Sequence, residues 1–118
     1  MGKMLVAAIL EKYPAAALTA VGTNSAATLA MRKAGATRAA TGENAVVVAC
    51  RTADVIVGPV GIAVADALMG EVTPRMAEAV GSSRARRVLI PVNACETIIV
   101  GVEEAGIATL VHKAVELL

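Results

Sequence analysis

The sequence predicts an α/β domain of the Rossmann-like kind, with a mostly parallel sheet covered by helices on both faces. Helix and strand patterns alternate along all 118 residues, and 57% of the residues are hydrophobic. The strand segments are continuous apolar runs, as expected for parallel strands that are buried on both faces. Alternation of this kind implies right-handed crossovers between parallel strands. A chain of this length forms one domain, residues 1–118.

The composition argues against a membrane-spanning protein despite a mean hydropathy of +0.70. The longest strongly apolar stretch, Val55–Ala65, contains two glycines and a proline and is shorter than the roughly 20 residues that a spanning helix needs. The net charge of +1 and the single aromatic residue, Tyr13, offer no surface for nucleic acid or an anionic membrane. Cys50 and Cys95 have neither metal-site nor disulfide-framework spacing and no signal peptide is evident, so we expect a cytoplasmic protein.

Apolar periodicity, caps and turn residues predict the order of the elements. The first helix is stopped by Tyr13-Pro14. Further helices are expected over 24–33, 43–50, 62–69, 74–80 and 110–118, and extended segments over 16–21, 36–40, 54–58, 88–92 and 97–100. An alternating domain ordinarily opens on a strand, whereas this chain opens on a helix, and Gly2-Lys3 has the character of the end of a glycine-rich turn.

The joint spacing of several short motifs resembles a small bacterial family, the domain of unknown function 3842 family. The motifs are Gly22–Asn24, Lys33–Ala36, Ala40–Asn44, Ala53–Pro59, Gly70–Pro74 with Met76-Ala77, Leu89–Pro91 and Ile99–Gly101. The resemblance implies a Rossmann-like fold and nucleotide binding, but no substrate, because the family has no assigned activity.

Members of that family begin with a strand and a glycine-rich Asp-Gly-Gln-Gly-Gly-Gly-Ile-Gly-Lys turn, of which only Gly2 and Lys3 are present here. The resemblance therefore implies a member that lacks its first strand and most of its phosphate loop. The first strand of a doubly wound sheet lies in the middle. We therefore expect the chain either to pair the strand at 16–21 directly with 54–58, or to self-associate.

Ligands of open parallel sheets bind beyond the carboxyl ends of the strands, where helix N-termini attract anions. Four segments are expected to meet there. They contribute Gly22, Thr23, Asn24, Thr41, Gly42, Glu43, Asn44, Gly58, Pro59, Gly61 and Asn93 as candidate ligand-binding residues. No metal-ligand spacing is present, since the chain has one histidine and scattered acids.

Each segment also has a structural interpretation. Thr23 and Asn24 can donate to a phosphate or accept from a ribose hydroxyl, but either can also cap a helix, and the lack of an acid there disfavours NAD. Thr41–Asn44 offers backbone N–H groups, a hydroxyl, a carboxylate and an amide, although Thr41 can serve as a cap and Glu43 can complement a helix dipole. The two glycines of Gly58–Gly61 allow close approach of a ligand, or simply tight packing of strand on helix, and Pro59 removes one backbone donor.

Other reactive side chains carry weaker predictions. Cys95 would be a nucleophile only beside a base that lowered its pKa, and His112 is expected on the outer face of the last helix, so we expect Cys95 to be a packing residue. Arg84, Arg86 and Arg87 precede a strand and are expected in a solvated loop, at the end of the sheet away from the ligand edge.

These observations favour a protein that binds a nucleotide or a small phosphorylated metabolite at the carboxyl edge of the sheet. Two alternatives remain open: a dinucleotide-dependent oxidoreductase-like enzyme using NAD(P), and a non-catalytic interaction protein. Whether the protein is an enzyme, and which nucleotide would be its cofactor, does not follow from the residues. The expected partners are a small molecule and a second copy of the chain, with no nucleic acid and no membrane.

Overall fold

The computed structural model describes residues 1–92 and 96–118, which contain five α-helices, a short 3₁₀ helix and four strands. In chain order these are α1 (Gly2–Lys12), β1 (Thr19–Gly22), α2 (Ser25–Lys33), β2 (Arg38–Thr41), α3 (Glu43–Thr52), β3 (Val55–Pro59), the 3₁₀ helix (Val60–Ala63), α4 (Pro74–Ser82), β4 (Arg86–Ile90) and α5 (Ile107–Glu116). The predicted α/β class is confirmed. No helix within the described ranges has both the length and the apolar character that crossing a membrane requires.

Local sequence signals set the ends of these helices. Asn24 caps α2, because its side-chain Oδ1 accepts a hydrogen bond from the backbone N–H of Ala27 at 2.8 Å. Thr73 caps α4 in the same way through Met76 N–H at 3.2 Å, and Pro74 occupies the first helical position, where its missing N–H costs nothing. The predicted starts of both helices are therefore confirmed.

The four strands form two separate parallel pairs. β1 pairs with β2, with Thr19 opposite Arg38 and Gly22 opposite Thr41, and β3 pairs with β4 over 55–59 and 86–90. The described residues thus form two small sheets where one mostly parallel sheet was expected. The expected direct pairing of the strand at 16–21 with 54–58 is not made.

Helix α1 joins the two sheets on one face. Its Leu5 packs in a core with Val88, Ile90 and α5, whereas the adjacent Val6 packs in a second core with Ala20 and Met31. Helix α2 contacts β1 and β2, and α5 contacts β4, each on one side of α1. Helix α3 also contacts β1 and β2 and packs against α4. Helix α1 thus contacts one strand of each sheet, β1 and β3.

The prediction of a helix over Ile62–Met69 is wrong. Only the 3₁₀ helix Val60–Ala63 forms, and residues 64–72 make an irregular loop, which we call the 64–72 loop. Asp66, Leu68 and Met69 have φ values of 66°, 57° and 56°, a left-handed conformation that no right-handed helix contains. The loop is closed by backbone hydrogen bonds, including Asp66 N–H to Val72 O at 2.7 Å, and Val72 is buried beneath it.

The prediction of a strand over Thr97–Val100 is also wrong. This segment is irregular, and Ile98 and Val100 are 89% and 92% exposed. A strand requires a hydrogen-bonded neighbour, and in the described part of the chain no strand pairs with this segment. The apolar β-branched pattern that predicted a strand is real, but this fold leaves it without a partner.

Candidate functional site

The carboxyl ends of β1 and β2 bring two of the predicted segments together. Because β1 and β2 are parallel, with Thr19 opposite Arg38 and Gly22 opposite Thr41, the two strands end at the same edge of the sheet. The backbone N–H of Gly42 donates to the carbonyl of Gly22 at 2.9 Å. Helices α2 and α3 begin immediately afterwards, so their N-termini lie side by side at this edge.

A buried threonine, Thr28, fixes the relation between the two segments. Its Oγ1 lies 2.7 Å from Thr41 Oγ1, 3.1 Å from the Asn24 carbonyl and 3.3 Å from the Ala40 carbonyl. Gly22 passes directly beneath this hydroxyl, and a Cβ on Gly22 would overlap Thr28 Oγ1 and lie 2.7 Å from Thr28 N. The absence of a side chain at Gly22 is thus required by packing.

A carboxylate from the 64–72 loop lies in front of α2. Glu71 Oε1 accepts hydrogen bonds from Asn24 Nδ2 at 2.7 Å and from Thr23 Oγ1 at 3.3 Å. Both hydrogen bonds are at the surface, where an incoming ligand can compete for them. Thr23 and Asn24 therefore have donor groups directed at an anionic oxygen, and that oxygen belongs to Glu71.

A second carboxylate, Glu43, is held by the start of α4. Glu43 Oε1 accepts from Thr73 Oγ1 at 2.6 Å, and Glu43 Oε2 lies 3.9 Å from Arg75 Nη1. Both charged side chains are partly exposed, so this ion pair is worth little. The two contacts matter because they hold the Glu43 carboxylate close to the start of α4.

The N-terminus of α3 is open. Gly42 precedes it with φ of 98°, a conformation that favours glycine, and no side chain caps the helix. The backbone N–H groups of the first helical turn, from Glu43, Asn44 and Ala45, have no partner within the helix. This is the structural feature of the edge most suited to an anion. The alternative in which Thr41 caps α3 is wrong, because Thr41 Oγ1 contacts Thr28 instead.

The third predicted segment, Gly58–Gly61, spans the carboxyl end of β3 and the start of the 3₁₀ helix. Gly58 and Gly61 are buried, and a Cβ on Gly58 would lie 2.9 Å from Ile62 Cδ1, the movable end of a side chain. Packing on the following turn accounts for Gly58 in this structure. The segment continues into the 64–72 loop, which reaches the first segment through Glu71. Thr73, just beyond the loop, reaches the second segment through Glu43. Asn93 and Cys95 lie outside the described residues.

Sequence reasoning missed three members of this edge: Thr28, Glu71 and Thr73. Thr28 lies one helical turn after Asn24 on the face that packs on β2, a position where an apolar residue would be usual. Glu71 and Thr73 follow β3 along the chain. The sequence signal that could have placed them at the site was the possibility that the segment after β3 returns to the carboxyl edge. No pairing of Glu71 with Asn24 follows from spacing, since 47 residues separate them.

The other residues discussed in the sequence analysis lie away from the candidate site. His112 is exposed and pairs with Glu116 across one helical turn at 3.1 Å, as expected for the outer face of α5. Arg84 precedes β4, but the loop expected for Arg86 and Arg87 is wrong, because they are the first two residues of that strand. All three side chains are exposed, away from the candidate site. In the described part of the chain no group of three or more His, Cys, Asp or Glu side chains is placed to hold a metal ion.

Cys50, on α3, yields a prediction about thiol reactivity. Burial raises the pKa of the Cys50 thiol above its ordinary value, so the reactive thiolate forms only at higher pH. In a Cys95→Ser variant, whose single thiol is Cys50, alkylation by iodoacetamide should begin at higher pH in the folded protein than in the same protein in denaturant. Identical pH profiles in both states would contradict the effect of burial.

The fold and this polar edge define an α/β domain with a candidate ligand site at the carboxyl ends of β1, β2 and β3. The chain belongs to the family described as Domain of unknown function (DUF3842), whose model matches residues 1–118. The family resemblance noted in the sequence is thereby confirmed. No curated protein and no solved structure matches the chain.

Proposed function

We propose that this protein binds a nucleotide or a small phosphorylated metabolite at the edge formed by Gly22–Asn24 and Thr41–Asn44. The observation that carries the proposal is the open N-terminus of α3, which begins beside that of α2. Each helix contributes the equivalent of about half a positive charge at its N-terminus. Two such ends side by side, one without a side-chain cap, favour a phosphate group.

The polar side chains around the edge suit the rest of a nucleotide. Thr23 and Asn24 supply donors that already engage a carboxylate oxygen and would engage a phosphate or sugar oxygen equally well. Glu43 is drawn toward Thr73 and Arg75, which leaves the N–H groups at the start of α3 as the phosphate site.

Glu71 competes with an anionic ligand for Asn24 and Thr23. Replacing it in Glu71→Gln removes the negative charge and its repulsion while keeping a side chain of similar size. We expect phosphate-bearing ligands to bind about threefold to tenfold more tightly, corresponding to about 0.7–1.4 kcal/mol. Isothermal calorimetry with ATP on the wild type and the variant measures this change. Glu78→Gln, an equal charge change on the exposed face of α4, is the matched control and should leave affinity unchanged.

A thermal-shift panel tests the proposal itself. Inorganic phosphate, AMP, ATP and NAD are added to the whole chain, because a ligand that binds only the native state raises its melting temperature. Stabilisation by at least one phosphate-bearing compound, but not by adenosine, supports the proposal. No stabilisation by any of them at millimolar concentration would refute it.

The same panel separates the two alternative functions. A dinucleotide-dependent enzyme should prefer NAD or NADP over AMP and ATP, since its site extends across both nucleotides. A non-catalytic interaction protein should respond to none of the compounds. No observation in this structure favours either alternative over nucleotide or phosphometabolite binding.

A further inference from the structure

Helices α3 and α4 run side by side in the same direction. At their starts Thr73 Oγ1 donates to Glu43 Oε1 at 2.6 Å, and at their ends Ser83 Oγ donates to the carbonyl of Cys50 at 2.8 Å. An open cleft of about 430 Å³ lies between the two helices. Its lining residues belong to α3, to α4 or to the turns that follow them, so residues 47–85 build this cleft by themselves.

The cleft gathers positive charge. Its lining includes three arginines and one acid, namely Arg51, Arg75, Arg84 and Glu78. A fourth guanidinium lies against the end of the cleft, because Arg87 Nη1 donates to the carbonyl of the lining residue Ser83 at 2.7 Å. We call Arg51, Arg75, Arg84 and Arg87 the arginine cluster. All four side chains are exposed, so they are open to a ligand from solution.

Little of this charge is neutralised by the protein's own carboxylates. Arg75 Nη1 lies 3.9 Å from Glu43 Oε2, which is a weak surface pair. Within the described ranges no ion pair involves Arg51, Arg84 or Arg87, and Glu78 pairs with none of them. Arg51 complements the dipole at the C-terminus of α3, but one cation is enough for that role. The cluster therefore has a surplus of guanidinium groups directed at solvent.

The exposure of these arginines favours a ligand with several anionic groups. A guanidinium binds a carboxylate or a phosphate through two parallel N–H bonds. Each such contact contributes little in an exposed position, so a single anionic group gains little in this open cleft. A ligand that places several carboxylates along the cluster gains from each contact. Arginine is also enriched at protein–protein interfaces.

The extent of the cluster suits a short peptide segment. Arg75 stands in the first turn of α4, and Arg84 follows the end of that helix. The helical residues between them span about 10 Å, a distance that about three residues of an extended peptide cover. Consecutive acidic residues of one segment would thus meet Arg75 at one end of the cleft and the other three arginines at the opposite end.

Nucleic acid suits the cluster less well than an acidic peptide. Proteins hold single strands largely by stacking bases on aromatic side chains. The single aromatic residue of the chain is Tyr13. Its hydroxyl donates to the carbonyl of Leu118 at 3.2 Å, and Tyr13 does not line the cleft between α3 and α4.

We propose that the arginine cluster binds an acidic segment of a partner protein, whose carboxylates pair with Arg51, Arg84 and Arg87. This site is separate from the phosphate position at the start of α3. Arg51 lies in the last turn of that helix, about 12 Å along it from Glu43. Arg84 precedes β4 and therefore lies at the amino end of its strand pair.

Fluorescence anisotropy with a labelled hexaglutamate peptide tests the proposal on the whole chain. The peptide should bind with a Kd below about 1 mM in about 50 mM NaCl. Its affinity should fall at least about fivefold in about 300 mM NaCl, because salt screens exposed charges. Arg51→Gln with Arg84→Gln should bind it about fivefold more weakly than the wild type, since two exposed ion pairs are lost. A glycine–serine peptide of the same length should not bind.

Arg32→Gln with Arg38→Gln is the matched control, because it removes the same charge from a helix end and a strand start elsewhere, on α2 and β2. Its affinity for the peptide should stay within about twofold of the wild type. Glu78→Gln should bind hexaglutamate about twofold more tightly, since a repelling carboxylate in the cleft is removed. Circular dichroism should show all of these variants folded, because the five replaced side chains are exposed.

Cys50 reports where the peptide binds, because this residue lines the cleft. In the Cys95→Ser variant, saturating hexaglutamate should slow the alkylation of Cys50 by iodoacetamide. An unchanged rate with the peptide bound would place the peptide elsewhere and overturn the proposal.

Three further outcomes would overturn the proposal. The first is no binding of hexaglutamate at near-millimolar concentration, or an equal loss of affinity in both double variants. The second is tighter binding of a thymidine heptanucleotide, which carries the same number of negative charges and would make the cluster a nucleic-acid site. The third is a self-associated form that Arg51→Gln with Arg84→Gln dissociates, since the acidic segment would then belong to this chain itself.

Discussion

Gly22→Ala should destabilise the protein by about 2–3 kcal/mol, with a fall in melting temperature of about 10 °C. The added Cβ would overlap Thr28 Oγ1 and approach two backbone atoms, Thr28 N at 2.7 Å and Asn24 O at 2.9 Å. Backbone atoms at the start of a helix cannot move aside as a flexible side chain can. Relief would require α2 to shift from β1, which breaks the contact of Thr28 with Thr41.

Gly81→Ala is the control for this prediction. Gly81 lies within α4, and a Cβ there meets nothing within 4 Å. Alanine is the better helix former, so this variant should be stabilised by about 0.5 kcal/mol. Urea unfolding of both variants and the wild type gives the two differences. Equal stability of Gly22→Ala and wild type would show that the junction of β1 and α2 is looser than this structure has it.

The sequence predicted the helices better than the sheet. Helix ends depend on nearby residues, such as Asn24 for α2 and Thr73-Pro74 for α4, and these caps formed as expected. Helix α3 was also expected, although its Val46–Val48 run favours a strand locally, because two parallel strands require a crossover. In each case the deciding information lay within a few residues or in the order of the elements.

The failures concern segments whose structure depends on distant partners. The Thr97–Val100 segment has the composition of a strand, but no neighbour in the described chain pairs with it. Residues 62–69 have helical spacing, yet three non-glycine residues there adopt left-handed conformations, at a cost of about 1–2 kcal/mol each. The loop's contacts, such as burial of Val72 and the bonds of Glu71 to α2, offset that cost and are invisible in the sequence.

The candidate site likewise has features that the sequence predicted and features that depend on distant contacts. Gly22–Asn24 and Thr41–Asn44 were expected at one edge because parallel strands end together, and Gly42 N–H does bond to the Gly22 carbonyl. The sequence did not show which of the polar groups at this edge already have hydrogen-bond partners. Asn24 and Thr23 are engaged by Glu71, whereas the start of α3 is uncapped. This difference locates the proposed phosphate position at α3 and motivates a substitution there.

Asn44→Asp should weaken phosphate binding while it stabilises the folded protein. Asn44 is exposed in the first turn of α3, where a negative charge interacts favourably with the helix dipole, by about 0.3–1 kcal/mol. The same charge repels a phosphate bound at the N–H groups of that turn. We expect the affinity for ATP to fall about tenfold, corresponding to about 1.4 kcal/mol. Stability and binding thus move in opposite directions, which damage to the fold would not produce.

Calorimetric titration with ATP and urea unfolding measure the two effects. Thr37→Asp is the matched control, because Thr37 is exposed just before β2, at the opposite end of the strand from the site, and the added charge is the same. It should leave the affinity for ATP within about twofold of the wild type, since exposed charges beyond about 10 Å are screened at ordinary salt. If Asn44→Asp binds ATP as tightly as Thr37→Asp does, the phosphate does not bind at the start of α3, and the site proposed here is in the wrong place.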